Sequence, residues 1–281
     1  MNQSGILFIV ATPIGNLGDF SQRAVDVLNT VDSIAAEDTR HSQKLLQKLR
    51  ISTPLIAYHD FSSEQTTNKI LQRLLAGQSI ALICDAGTPL ISDPGYRLVK
   101  LARDAAIPVL PIPGASAVTA ALSVAGLPTD KFVFEGFLPS KAGARLKRLG
   151  ELATEARSLV IYESPHRIVE CVAAIVEALG ADRQLFIGRE LTKKFESHFV
   201  GSAGNGQVWI LQSKNQQKGE FVLVVAGCDQ LELEARRQAR ALDLVAMLRN
   251  DLSLKRAVAI ASQLSGARKN QLYDQVIKNE V

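Results

Sequence analysis

Three short turns in this sequence carry the residue types that let a backbone close around a small ligand. They read Thr12-Pro13-Ile14-Gly15-Asn16, Asp85-Ala86-Gly87-Thr88-Pro89 and Pro111-Ile112-Pro113-Gly114-Ala115-Ser116. Glycine has no Cβ, so Gly15, Gly87 and Gly114 each permit close approach of main-chain groups to a bound molecule. Any one of them serves equally well as a tight connection between a strand and a helix, whereas three on one sheet edge could surround a small cofactor. Several other chemistries lack their residues: there is no Gly-Lys-Ser/Thr phosphate loop, His-Glu-x-x-His, paired Cys-x-x-Cys or Gly-x-Ser-x-Gly elbow. His41, His59, His166 and His198 are widely spaced, and Cys84, Cys171 and Cys228 each sit inside an apolar run. That spacing suits hydrogen-bonded histidines and small buried thiols in a reducing compartment, so no metal site is expected.

The turns need an α/β framework to position them. Short β-branched runs over 6–11, 33–36, 80–84 and 108–112 alternate with helical patterns over 21–28, 67–76 and 96–105, which predicts a mostly parallel sheet covered by helices. Ligands of such sheets bind beyond the carboxyl ends of the strands, where all three glycine turns fall. A second α/β lobe is expected after Gly126-Leu127-Pro128, with strands over 132–135, 159–162, 184–187, 196–200, 208–211 and 221–225. One helix interrupts them, capped by Ser164 with Pro165 in its first turn, and it carries Ile168, Val172, Ile175, Val176 and Leu179 on one face.

Three helices, over 235–248, 254–264 and 268–277, end the chain. Ser253 is the expected cap of the second, and Gly266 marks the turn before the third. Ala257, Ile260, Ala261 and Leu264 are expected to pack on Leu272, Tyr273 and Val276, leaving Lys255, Arg256, Arg268 and Lys269 outside, in a helix-turn-helix-like module. The expected units are residues 1–126, 127–233 and 234–281.

With 281 residues, 47% of them apolar and 21% charged, the chain can bury large cores, which excludes disordered, collagen-like and disulfide-scaffold classes. A net charge of +4 suits a polyanionic partner without demanding one. The apolar run 6–11 lacks a basic flank and is too short for a signal or a membrane span, so a cytoplasmic protein with no membrane partner is expected.

Longer strings are more specific. Ala11-Thr12-Pro13-Ile14-Gly15-Asn16-Leu17, Ala36-Glu37-Asp38-Thr39-Arg40-His41, the stretch from Asp85 through Asp93-Pro94-Gly95, and Tyr162-Glu163-Ser164-Pro165-His166-Arg167 occur in that order. Pro113-Gly114-Ala115-Ser116-Ala117, Glu135-Gly136-Phe137-Leu138-Pro139, Arg189-Glu190-Leu191-Thr192-Lys193 and Lys218-Gly219-Glu220 continue the pattern over essentially the whole chain. In these the sequence resembles the ribosomal-RNA-modifying branch of the tetrapyrrole methylase superfamily. The resemblance implies two α/β lobes with S-adenosylmethionine bent into the cleft between them, a homodimer, and 2′-O-methylation of a cytidine ribose in the decoding region of the 16S rRNA of the small ribosomal subunit. By position it also implies cofactor contacts at Ile14, Gly15, Ala86, Gly87, Thr88, Ser116, Ala117, Tyr162 and Val222. The first loop departs from the Gly-x-Gly-Pro-Gly type usual in the small-molecule members, reading Ala11-Thr12-Pro13-Ile14-Gly15 instead.

A ribose hydroxyl is a weak nucleophile, and a positioned base typically adds about 10²- to 10⁴-fold. Glu37, Asp38, Glu163, Glu190 and Lys193 all stand at or just beyond expected strand ends. Glu190 with Lys193 is the expected catalytic pair, set against a reading in which these residues form ion pairs bracing the lobes, with Arg40, Arg167 and Arg189 beside carboxylates. RNA phosphate contacts are expected at Lys141, Arg145, Lys147 and Arg148, and at Lys255, Arg256, Arg268 and Lys269. Two other readings stay open: a methylase of a small molecule or modified protein residue, and a non-catalytic ribosome assembly factor.

Overall fold

The computed structural model describes residues 4–278; the outermost residues of the expected first and last units, 1–3 and 279–281, lie outside the described residues. The first sheet comprises β1 (Leu7–Val10), β2 (Ser33–Ala36), β3 (Leu55–Ala57), β4 (Ile80–Ile83) and β5 (Val109–Ile112) in the order β3-β2-β4-β1-β5. Every pairing in it is parallel. Buried on both faces, such strands are short apolar runs, and β2 and β4 are buried throughout. The helices α1 (Gln22–Thr30), α2 (Thr39–Lys48), α3 (Glu64–Leu75) and α4 (Tyr96–Asp104) cover this sheet. One core gathers Leu7, Ile70, Leu74, Leu82 and Leu98, and a second gathers Val10, Leu28, Ile34, Leu46 and Ile83. The order places β4, β1 and β5 side by side, so the three glycine turns are neighbours in space although distant in sequence.

Helix α5 (Ala117–Val124) follows β5 and links the halves. Its Val118, Ala121 and Leu122 pack with Val160, Phe186, Val222 and Val224 of the second sheet. That sheet comprises β6 (Phe132–Phe137), β7 (Ser158–Glu163), β8 (Gln184–Arg189), β9 (Ser197–Ser202) and β10 (Phe221–Val225) in the order β6-β7-β10-β8-β9. Only β6 and β7 run parallel. Its other face is covered by α6 (Ala142–Glu151), α7 (Ile168–Leu179) and α8 (Ala203–Leu211) around a core that includes Leu149, Ile161, Val172, Ile175 and Ile210.

Two expectations in this half are corrected. Residues 208–211 end α8 instead of forming a strand: Ala203, Gly206 and Ile210 are its buried residues, at helical spacing, and Ser202 caps it by accepting from the Asn205 N–H. A four-residue apolar run does not by itself separate strand from helix. Helix α7 begins at Ile168 with Arg167 in the cap position, because Ser164 is held in the preceding turn, its N–H donating to Glu163 Oε1.

The chain ends in α9 (Gln230–Leu248), α10 (Leu254–Ser265) and α11 (Lys269–Lys278), whose core gathers Ala241, Val245, Ala257, Val258, Ala261, Leu272 and Val276. Gly266 closes α10 in the left-handed region at φ 75°, while Ser253 makes no side-chain cap bond. Leu264 and Tyr273, expected inside, are exposed. Packing of α9 on α10 turns Val258 inward, and Leu264 is left facing out. The start of α9 is tied to the second half by Arg183, which donates to Glu232 Oε1 at 2.6 Å, and by Arg236, which donates to the Leu179 carbonyl at 3.1 Å. Among the described residues no helix is long and apolar enough to cross a membrane.

Candidate active site

The loops after β1, β4 and β5 are joined by hydrogen bonds. Thr12 and Gly87 exchange main-chain bonds of 2.8 and 3.1 Å, Thr12 Oγ1 donates to the Cys84 carbonyl at 3.1 Å, and Thr88 Oγ1 donates to the Ala115 carbonyl at 3.0 Å. Gly87 adopts φ 86°, which L side chains rarely adopt, and a Cβ on Gly114 would stand 2.9 Å from that of Ala11. The second sheet meets this edge with the end of β7, the end of β8 and the start of β10. Register pairs Tyr162 with Val222 and Glu163 with Phe221, bringing all four to the same edge.

Between the two edges lies a cavity of about 380 Å³, within the usual range for small-molecule sites. Ile14, Ala86, Gly87, Thr88, Ser116, Ala117, Tyr162 and Val222 line it, together with Lys193. Gly15 packs against the opposite loop, where a Cβ would meet Lys193 Cγ at 2.4 Å and Thr192 Oγ1 at 2.9 Å. Asp85, Ile91, Ser92, Asp93, Phe137, Glu163, Leu191 and Phe221 line the same cavity. Burial, and then the Asp93 charge, push the Tyr162 phenol up to about 12, although the Val118 N–H donates to it. Phe134 and Phe137 both pack edge-on against the Tyr162 ring.

The charged residues divide sharply. Lys193 Nζ donates to Glu190 Oε1 at 2.9 Å and to Glu220 Oε2 at 2.8 Å, and the Glu220 N–H donates to Glu190. Burial opposes the Glu190 charge, but these donors hold its carboxyl below the usual range; burial likewise opposes the Lys193 charge, and its two carboxylate partners raise it. Glu190 does not line the cavity. Glu163, whose side chain is fully buried, pairs with Arg167 at 2.8 Å. Arg189 donates to the Lys218 and Phe195 carbonyls, and Arg40 lies 4.0 Å from Asp38 at the surface. Asp38 caps α2, and the Arg40 and His41 N–H groups hold its carboxyl low.

Asp93 is different. It has no ion-pair partner among the described residues, and burial, then Asp85 and Asp60, push its carboxyl up to about 6 against a lowering hydrogen bond with Cys84. Burial, then Asp93, Asp85 and Asp60, raise Glu37, which does not line the cavity. Asp93-Pro94-Gly95 ends one of the strings that carry the resemblance, but nothing in that string gives Asp93 a chemical role. One signal was available: twelve residues separate Ile83 from Tyr96, where such connections usually take about 2–6.

Of the expected RNA contacts, Lys141 at the cap of α6 and Lys147 within it are exposed, as are Lys255 and Arg256 on α10, Arg268 in the turn after it and Lys269 at the start of α11. Arg145 is corrected: its side chain is 4% exposed and faces Glu170, since it shares the buried side of α6 with Leu149. Arg148 forms a two-pronged pair with Glu135 at 2.9 Å and a third bond to Glu151, so three of its five N–H donors are already engaged.

Two α/β halves with a cavity between their sheet edges describe a methylase of the tetrapyrrole type, and residues 7–205 match the family model of the Tetrapyrrole (Corrin/Porphyrin) Methylases. Residues 235–279 match the RsmI C-terminal HTH domain. The chain is 46% identical over 277 residues to Ribosomal RNA small subunit methyltransferase I of Pseudomonas aeruginosa, covering 99% of this chain and 98% of that one. It is 47% identical over 278 residues to the Vibrio cholerae protein of the same name, covering 99% and 96%. It therefore belongs to the ribosomal RNA small subunit methyltransferase I family. Uroporphyrin-III C-methyl transferase from Thermus thermophilus, complexed with S-adenyl homocysteine, shares the fold with TM-score 0.53 at 15% identity, over 79% of this chain and 97% of that one.

Proposed function

We propose that the chain transfers a methyl group from S-adenosylmethionine to the ribose 2′-hydroxyl of a cytidine in the decoding region of 16S rRNA. The observation that carries this reading is the 46% identity to Ribosomal RNA small subunit methyltransferase I over 99% of the chain, final helices included. The cavity residues suit the cofactor. Ile14, Ile91, Leu191 and Val222 give an apolar wall, and Asp85 gives a carboxylate toward a cation. At Ala86, Gly87, Ser116 and Ala117 the chain passes close enough for main-chain contacts, and α5 lacks a side-chain cap where it meets the cavity. Bound there, S-adenosylmethionine supplies an electrophilic methyl group. Ile14, Ala86, Gly87, Thr88, Ser116, Ala117, Tyr162 and Val222 would hold it, and Gly15 lets the facing loop close down.

Orientation does much of the work in such a reaction, since well-placed reactants gain roughly 7–11 kcal/mol. Lys193 presents a fixed positive charge on one wall, and Glu190 positions that charge. Lys141, Lys147, Lys255, Arg256, Arg268 and Lys269 form the proposed RNA footprint, which fixes position without reading sequence. Residues 1–126, 127–233 and 234–281 are the proposed units of a cytoplasmic homodimer whose second copy would extend the footprint.

The test is methyl transfer from labelled S-adenosylmethionine to small subunits isolated from cells lacking this gene, followed by mapping of the labelled nucleotide. Label on a decoding-region ribose is expected. No label with cofactor bound would favour a small-molecule or protein methylase, and loss of both would favour an assembly factor.

A further inference from the structure

We propose that Asp93 accepts the proton of the ribose 2′-hydroxyl during methyl transfer, an assignment that rests on the reading above. Asp93 lies on the cavity wall, in the long connection between β4 and α4. That connection is held in conformations the chain does not adopt freely. Leu90 has φ 74°, Ser92 φ 65° and Gly95 φ 136°. The first two are unusual for residues with side chains. At Gly95 a Cβ would stand 2.7 Å from Leu82 Cδ2, and at Gly136, in the β6 bulge, a Cβ would stand 2.9 Å from Ser92 Oγ. Both lobes thus clamp the residues around Asp93. Of six non-glycine residues with positive φ among those described, two lie just before Asp93; two more, Glu190 and Thr192, stand in the facing loop. Strain persists where surrounding structure over-determines it, and such positions cluster at active sites.

The charges fit the task. A proton acceptor must be ionised and free of a cation, and Asp93 is the carboxylate on this wall that burial raises, with the Cys84 thiol as a hydrogen-bond partner and no cationic one among the described residues. The groups facing it are Asp85 on its own connection, Cys84 at the end of β4, Asp60 after β3, Glu37 after β2 and Tyr162 on β7. Lys193 stands on the cavity wall in the opposite loop, committed to Glu190 and Glu220. In the step, the O2′–H bond breaks and the proton passes to the Asp93 carboxylate. The hydroxyl oxygen forms a C–O bond with the methyl carbon as the carbon–sulfur bond breaks, and that electron pair stays on sulfur as a neutral thioether. Asp93 then returns its proton to water.

The experiment compares full-length wild type, Asp93→Asn and Asp93→Glu on unmodified small subunits across pH 5–8, with cofactor affinity measured by calorimetry. Asp93→Asn is expected to lose about 10²- to 10⁴-fold in single-turnover transfer while binding S-adenosylmethionine within threefold of wild type. Wild type should slow tenfold per unit below about pH 6, Asp93→Glu should keep that acid limb, and the residual Asp93→Asn rate should lack it. Without cofactor or RNA, the Asp93 carboxyl carbon should titrate near 6 by NMR. Asp93→Asn transfer within threefold of wild type, an acid limb that survives the substitution, or collapse of cofactor affinity in Asp93→Asn would each overturn the assignment while leaving the function intact. Wild type that binds cofactor but labels no subunit would overturn the function and this assignment with it.

Discussion

In the first sheet every strand runs the same way, so all its carboxyl ends reach one edge and their turns face the cavity together. In the second sheet β10 runs against β7 and β8, and it is the pairing of strand ends with a strand start that brings side chains to the cavity. The charges differ in parallel. Glu37 and Asp93 of the first half sit among other acids and are raised, although Asp38 is held low by the N–H groups of the helix it caps; in the second half Glu190 is held down by Lys193 and, away from the cavity before the start of β7, Glu155 by Arg157, the latter to about 2. One wall therefore offers main chain and a raised carboxylate; the other offers an apolar, ion-paired surface that holds its shape. Chemistry that needs a mobile proton belongs to the first wall and positioning to the second.

The largest effect should come from filling the first wall. Gly87→Trp projects an indole from a turn that lines the cavity, at a φ of 86° that disfavours any side chain. Calorimetry should show S-adenosylmethionine affinity reduced at least 100-fold, roughly 2.7 kcal/mol, with RNA affinity within threefold. Unchanged cofactor affinity would remove that turn from the site.

On the second wall the same logic predicts lost stability. Arg167→Ala removes the ion-pair partner of the fully buried Glu163 carboxylate and leaves it the Ser164 N–H, and breaking a buried pair in this way costs about 3 kcal/mol or more. A fall in Tm on the order of 10 °C is expected, at roughly 2–4 °C per kcal/mol for a large domain. The exposed Lys100–Asp104 pair of α4 is the control, since Lys100→Ala should move Tm by less than about 2 °C. Equal effects would erase the contrast between a braced wall and an ordinary surface.

How much of this was legible in the sequence depended on how local each cause is. The glycine turns could be read because each follows a short apolar strand directly, and their assembly follows from a parallel sheet. Lys193 and Glu190 were named as a catalytic pair or an ion pair, and the contacts observed are those of an ion pair. Arg145 looked like a surface cation among Lys141, Lys147 and Arg148; at 100° per residue it turns to the same buried side as Leu149. β3, three residues long, fell below what alternation can reveal. Asp93 could not be read, because its surroundings are supplied by Asp60 and Glu37 from other loops and by Tyr162 from the other sheet.

The last helices sharpen the comparison from outside it. Deleting residues 237–281 keeps Glu232 and Arg236, so buried Arg183 keeps its carboxylate, while the core around Ala241, Ala257 and Leu272 goes as a unit. Lys255, Arg256, Arg268 and Lys269 go with it. Binding of small subunits should weaken about tenfold at 100 mM salt, with a shallower salt dependence from fewer phosphate contacts, and cofactor affinity should not move. An unchanged RNA dissociation constant would confine RNA contact to the two α/β halves.

The smallest effect tests the charge contrast itself. Asp93 has a folded-state value near 6 against 3.8 for the ordinary group, so the folded state holds the proton more tightly than the unfolded one. Stability contributed by this residue therefore falls as pH rises from about 4 to 6 and stays low above that, opposite in sign to Glu190 and Glu155, whose contributions are present above the ordinary carboxylate range and lost as pH falls. Asp93→Asn removes the ionised carboxylate at the same volume. It should raise Tm at pH 8 by about 2–4 °C, the shift that roughly 1 kcal/mol gives after allowance for solvent screening at a partly exposed side chain. At pH 4 the gain should vanish, since wild-type Asp93 is then largely protonated when folded. A gain that persists at pH 4 would trace to packing, and a loss at pH 8 would mean that the first wall compensates its carboxylates as the second does.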